Sequence, residues 1–99
     1  MRRIVLTPFP ERPRATSLES LGTFIRAQRT ASGLKLRDAA LLCGVSKDVL
    51  TRVENGAGPV GSDNLLQILD TLGLTLLVVP KNQASQAEHA VAAARDISE

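Results

Sequence analysis

Four glycines decide what this chain can build. Gly33, Gly44, Gly56 and Gly73 each follow a run whose apolar residues recur at helical spacing, and a glycine placed there is a common helix stop. The intervals between them leave room for helices of a few turns only. Helices that short are marginal alone and gain stability by packing an apolar stripe against neighbours. The spacing therefore predicts several short helices crossed around one small core.

The first helix begins at Leu18 with Ser17 as its N-cap and Glu19 in the first turn, carries Leu21, Phe24, Ile25 and Gln28 on one face, and stops at Gly33. The second fits Leu36 to Cys43, with Ala39, Ala40 and Cys43 on one face and Gly44 where a left-handed backbone is cheap. Ser46 caps the third, Lys47 to Asn55, whose inward residues are Leu50 and Val53. Gly56 to Gly61 is a loop by composition. A fourth helix starts at Ser62 or Asp63, carries Leu65, Leu66, Ile68, Leu69 and Leu72, and ends at Gly73.

Leu74-Thr75-Leu76-Leu77-Val78-Val79 follows, bounded by Pro80. A short apolar run between glycine and proline reads as a buried strand. It needs a partner, because an unpaired hydrophobic edge invites aggregation. The arm segment Ile4-Val5-Leu6 is one candidate and the same strand of a second subunit is the other. Self-pairing across a two-fold axis is the expectation, with Leu74, Leu76, Leu77, Val78 and Val79 as dimerisation residues. The expected organisation is a basic, proline-containing arm over 1–17, a helical domain over 18–73, a dimerisation strand over 74–80 and a flexible tail over 81–99.

Ninety-nine residues fit one domain, and 43% hydrophobic with 22% charged residues is a globular composition. With no Trp, no Tyr and only Phe9 and Phe24, aromatic platforms for stacked single-stranded bases are missing. One cysteine, Cys43, and one histidine, His89, cannot assemble a disulfide or a zinc site within one chain. Cys43 reads as a small core residue and His89 as exposed. No cofactor, metal or small-molecule substrate is expected. An enzyme is not expected either, since Gly56 to Gly61 lacks the lysine of a phosphate-cradling loop and no nucleophile-base pair stands out. No run is long enough to span a membrane, and the start of the chain makes a poor signal peptide, so the chain reads as cytoplasmic. Charge is uneven: Arg2, Arg3, Arg12 and Arg14 outweigh Glu11 in the arm, six basic balance six acidic residues over 18–80, and the tail is slightly acidic.

Two short helices joined by a glycine turn, the second polar on its outer face, form a helix-turn-helix unit. Ala40 is small enough for the helix axes to approach, Gly44 makes the turn, and Val45, Leu50 and Val53 hold the second helix while its first side chains project outward. The stretch from Gly33 to Gly56, with its small residue in the second helix, its Gly-Val-Ser turn and its Val-Glu-Asn-Gly ending, resembles the Xre/Cro/CI type of helix-turn-helix repressor domain. A helical domain followed directly by a strand is similar to HipB-type antitoxins. The resemblance covers about residues 18 to 80. It implies a mainly α, lambda-repressor-like domain of four helices plus a C-terminal β-strand pairing across a dimer.

The resemblance makes Lys47 to Asn55 the recognition helix. Lys47 and Arg52 suit guanine or phosphate, Asp48 can accept from cytosine, and Thr51 can meet a base edge or a thymine methyl. Ser46, Val49 and Asn55 complete the reading set, and Lys35 and Arg37 supply backbone contacts where relatives often use a glutamine in place of Leu36. Arg29 and Glu54 fall where the family often has an ion pair, which would orient Arg29 toward phosphate. Ser62 stands where an apolar residue is common, leaving Val60 as the local plug, and Leu41 projects away from the buried face as a candidate partner patch. The function implied is a double-stranded-DNA-binding, homodimeric repressor acting as antitoxin of a HipBA-like module, controlling its own operon and binding a HipA-like kinase toxin. The alternatives are an adapter that neutralises a toxin with weak DNA binding, and a stand-alone phage-type regulator.

Overall fold

The computed structural model describes residues 4–97 and places five helices in them: α1 (Leu18–Ala31), α2 (Leu36–Cys43), α3 (Lys47–Asn55), α4 (Ser62–Thr71) and α5 (Ala84–Ile97), the last entered through a single 3-10 turn at Lys81–Gln83. Arg2 and Arg3 of the expected arm lie outside the described residues. The caps explain the starts. Ser17 accepts from the Ser20 amide at 3.0 Å while Ser20 Oγ accepts from the Ser17 amide at 3.0 Å, a reciprocal capping box that Ser20, not Glu19, completes. Ser46 Oγ accepts from the Val49 amide at 3.1 Å and opens α3. Gly61, without a side chain to offer, precedes α4.

The core is formed by Ile25 of α1, Ala39, Ala40 and Cys43 of α2, Leu50 and Val53 of α3, and Ile68, Leu69 and Leu72 in and after α4. Burial of each large aliphatic side chain stabilises the fold by about 1.5–3 kcal/mol. Burial also pushes the Cys43 thiol up from its ordinary pKa, partly offset by a hydrogen bond with Thr71, so it sits as a neutral core residue. Two glutamines satisfy helix ends that would otherwise be orphaned: Gln67 Nε2 donates to the Cys43 carbonyl at 2.7 Å, and Gln28 Nε2 donates to the Leu72 carbonyl at 2.9 Å. α1 lies closely on α3 at Gly22. A Cβ there would stand 2.4 Å from the carbonyl oxygens of both Val53 and Glu54.

Two expectations are corrected. Leu74 to Val79 is extended but forms no strand: after Leu74 N donates to Leu69 O at 2.8 Å, residues 75–79 make no backbone hydrogen bond among the described residues. Among the described residues, the arm does not pair with it. The physical reason is that a ladder needs two edges, and Ile4-Val5-Leu6 is led elsewhere, since Thr7 N donates to Thr30 Oγ1 on α1 at 3.0 Å. The segment expected as a flexible tail is instead helical as far as Ile97. Its His89 is exposed, as expected, while Ala84, Ala87, Glu88 and Val91 are half-buried.

The arm and α5 hold one another. Phe9 meets Phe24 edge-on with ring centroids 6.2 Å apart, and the Arg95 guanidinium lies 6.0 Å from the Phe9 ring centre. Glu88 on α5 accepts from Arg12 Nε at 3.1 Å and is paired with Arg14 as well. A groove of about 350 Å³ is left between this clasp, α1 and the extended segment, with Leu21, Phe24, Leu76, Leu77 and Val91 among its walls.

Two outcomes follow from these contacts. Gly22→Ala should overpack the α1–α3 crossing and cost about 1–3 kcal/mol or more, seen as a lower urea midpoint; an unchanged midpoint would contradict the crossing. The hydrogen bond from Arg12, followed by the charges of Arg12 and Arg14, holds the Glu88 carboxyl below the usual glutamate range against the opposing effect of burial. A depressed folded-state pKa contributes stability above the unfolded value and loses it as pH falls through the folded one. Acidification through the carboxylate range should therefore release the arm from α5, with arm amide NMR shifts titrating below the midpoint of an exposed glutamate, and Glu88→Gln should abolish that titration.

Candidate nucleic-acid interface

The α2–turn–α3 unit is set by three local devices. Gly44 adopts φ 72°, ends α2 and turns the chain. Val45 N returns to Ala40 O at 3.1 Å. Ser46 then starts α3 in a new direction. Ala39 and Ala40 are buried where α2 faces the core, as the small-residue expectation requires. On α3, Leu50, Val53 and Glu54 are buried, so the opposite arc is what the helix offers to a partner.

That arc brings together most of the expected reading residues. Lys47, Asp48, Arg52 and Asn55 are exposed, and Ser46 is exposed at the cap with its hydroxyl engaged by the Val49 amide. Thr51 is half-buried and its hydroxyl donates to the Lys47 carbonyl at 2.8 Å, which leaves its oxygen as an acceptor. Val49 is half-buried and packs against the core cluster, so it supports the helix more than it faces outward. The stem of Arg52 runs beside the loop after α3, its Cδ 3.9 Å from where a Gly58 Cβ would lie. Lys35 stands at the N-cap position of α2 with no side-chain cap, leaving that helix start open; Lys35 and Arg37 are both exposed.

Arg29 is placed differently from a phosphate-facing cation. Its side chain is 12% exposed against a Glu54 that is 2% exposed. Its Nε donates to Glu54 Oε2 at 2.6 Å and its Nη2 to Oε1 at 3.0 Å, a two-pronged match of guanidinium to carboxylate. Its Nη1 donates to the Leu34 carbonyl at 2.9 Å. Arg29 thus ties α1, the α1–α2 connection and α3 into one piece. Arg26, one helical turn earlier and 40% exposed, was not singled out by the sequence reading. Its Nε donates to Glu54 Oε1 at 3.2 Å and its Nη2 to Asn55 Oδ1 at 2.5 Å. The three-residue spacing from Arg29 was the available signal, because it puts both arginines on one helix face. Gly22 carried no such signal; its closeness to α3 exists only once the helices cross.

A buried carboxylate shared by two arginines leaves one surplus positive charge beside the exposed arc of α3. Cations and hydrogen-bonding side chains on a helix projecting from a rigid crossing suit contact with an anionic duplex. No helix among the described residues is long and apolar enough to cross a membrane, and no cluster of three or more metal-ligating side chains occurs among them.

This geometry is that of a DNA-binding helix-turn-helix transcription regulator. The sequence matches the profile of the family described as "Helix-turn-helix domain" over residues 20–79, and the chain belongs to that family. Its fold is similar to HipB in a complex with an O4 20mer, at a TM-score of 0.62 and 18% identity over 69% of this chain and 96% of that one. It is also similar to the clp gene regulator ClgR from C. glutamicum, at 0.56 and 31% identity over 65% and 82% of the two chains. The restriction-modification controller protein C.AhdI from Aeromonas hydrophila gives 0.53 and 31% over 59% and 84%. A comparison with curated proteins finds no match.

The junction makes a sharp stability prediction. Glu54→Ala strands Arg29 in a largely buried position and should cost about 3–5 kcal/mol, whereas Arg26→Ala, removing the more exposed partner, should cost no more than about 1 kcal/mol. Equal losses in denaturant titrations would mean that Arg29 is not the buried partner.

Proposed function

We propose that the protein is a sequence-specific repressor that binds operator DNA as a homodimer and, more narrowly, is the antitoxin of a HipBA-like module that controls its own operon and binds a HipA-like kinase toxin. The observation that carries the repressor reading is the α2–turn–α3 unit, with Lys47, Asp48, Thr51, Arg52 and Asn55 on the outward arc of a helix whose other side is locked to α1. Lys35 and Arg37, at the start of α2, are the proposed backbone contacts. Arg29 acts from inside, by holding Glu54.

Dimerisation is supported by the free backbone of residues 75–79 and by the exposure of Leu77 and Val78, 70% and 89%. An apolar extended segment with unpaired N–H and C=O groups is stabilised when a second copy lies against it. Each subunit would then offer one reading helix to half-sites about one turn, roughly 10 bp, apart or a multiple of it. The antitoxin reading rests on the likeness in fold to HipB, which was solved in the HipA-HipB-O2-O3 complex. A stand-alone regulator is the second reading, favoured by the higher identity, 31%, to ClgR and C.AhdI.

A gel-shift with DNA from upstream of the coding region tests the repressor reading. Arg52→Ala should weaken specific binding by about 1–3 kcal/mol and relax preference at one base pair; an equal loss on random duplex would remove Arg52 from base readout. Absence of any specific shift, alone or with a partner, would sink the repressor reading in favour of a protein-binding adapter. Co-purification from the native host separates the two regulator readings. Capture of a kinase-like protein supports the antitoxin, and its absence supports the stand-alone regulator.

A further inference from the structure

Asn55 is the last residue of the reading helix, and its amide is already gripped. Arg26 Nη2 donates to Asn55 Oδ1 at 2.5 Å while the same guanidinium is anchored through Nε to Glu54 Oε1 at 3.2 Å. A guanidinium has donors and no acceptor, so the amide oxygen must be the end that meets it. The exposed end of the Asn55 side chain is therefore the NH2 group, with two donors. An unrestrained asparagine pairs with adenine by giving one hydrogen bond and taking another. Here an adenine amino group approaching Oδ1 would meet the Arg26 guanidinium beside it, donor against donor. The surplus charge of Arg26 and Arg29 over Glu54 favours acceptors at this end of the helix for the same reason.

We infer that Arg26 is a positioning residue that fixes Asn55 as a hydrogen-bond donor toward DNA, so that the C-terminal end of α3 takes an acceptor, either the O6/N7 edge of guanine or a phosphate oxygen, and rejects adenine. This rests on the operator-binding reading above and adds the polarity of one contact to it. Arg26 reaches the duplex through Asn55, and its effect is on which base is accepted.

Selection of randomised duplexes by the full chain tests this with three proteins: wild type, Asn55→Ala and Arg26→Met. If Asn55 faces a base, Asn55→Ala should lose about tenfold in affinity at a guanine of each half-site, and Arg26→Met should admit adenine there at near parity. If it faces phosphate, Asn55→Ala should weaken binding evenly over all sequences with the consensus unchanged. Loss of an adenine preference on Asn55→Ala, or no loss of affinity, overturns the inference. Arg26→Met also disturbs Glu54, so its melting curve is compared with wild type; the Asn55→Ala comparison stands without it. Wild-type protein that selects no consensus removes the operator-binding reading, and a consensus and an affinity both indifferent to Asn55 remove this inference alone.

Discussion

The Glu54 carboxylate and the two arginines that share it hold α3 in place. A carboxylate taken out of water costs several kcal/mol unless its oxygens are paired, and here Arg29 covers both oxygens while Arg26 adds a third hydrogen bond. The junction lies where α1 crosses α3 over Gly22, which has no Cβ to hold the backbones apart. Apolar packing of Leu50 and Val53 gives α3 its depth in the core, but such packing is non-directional. Hydrogen bonds from a planar guanidinium have direction, and they fix the rotation of α3 and so which residues face outward.

The second half of the structure is organised around an apolar stretch that the single chain leaves open. Residues 75–79 run extended beside a groove whose other walls come from the arm, α1 and α5. The arm's Arg12 and Arg14 are both drawn to Glu88, so two cations that look available for nucleic acid in the linear charge pattern share one carboxylate within the chain. Lys35, Arg37, Lys47 and Arg52 are exposed cations of the helix-turn-helix unit.

The helix boundaries were legible because each rests on a local signal. Ser17 and Ser46 cap, Gly44 and Gly56 stop, and the bounds of α2 and α3 fall where those residues put them. The core was legible from helical spacing at Ile25, Ala39, Ala40, Cys43, Leu50 and Val53. The candidate interface was legible as a set of residues on α3 but not in its detail: the withdrawal of Arg29 into the protein, the inward packing of Val49 and the grip of Arg26 on Asn55 all arise from contacts between separate helices. The strand and the tail misread for a related reason. Leu74 to Val79 has strand composition with no second edge among the described residues, and α5 has few apolar anchors of its own but gains a partner for Glu88 in Arg12, 76 positions away.

Sequence alone determined the count, length and order of the first four helices, and the turn between α2 and α3, because caps, glycine stops and periodicity act within a few residues of one another. Tertiary structure alone decided how α3 is rotated, which of its side chains are free, and that the arm folds back on α5. Those outcomes depend on where distant backbones come to lie, and a hydrogen bond 2.5–3.2 Å long exists only after the helices carrying its ends have crossed.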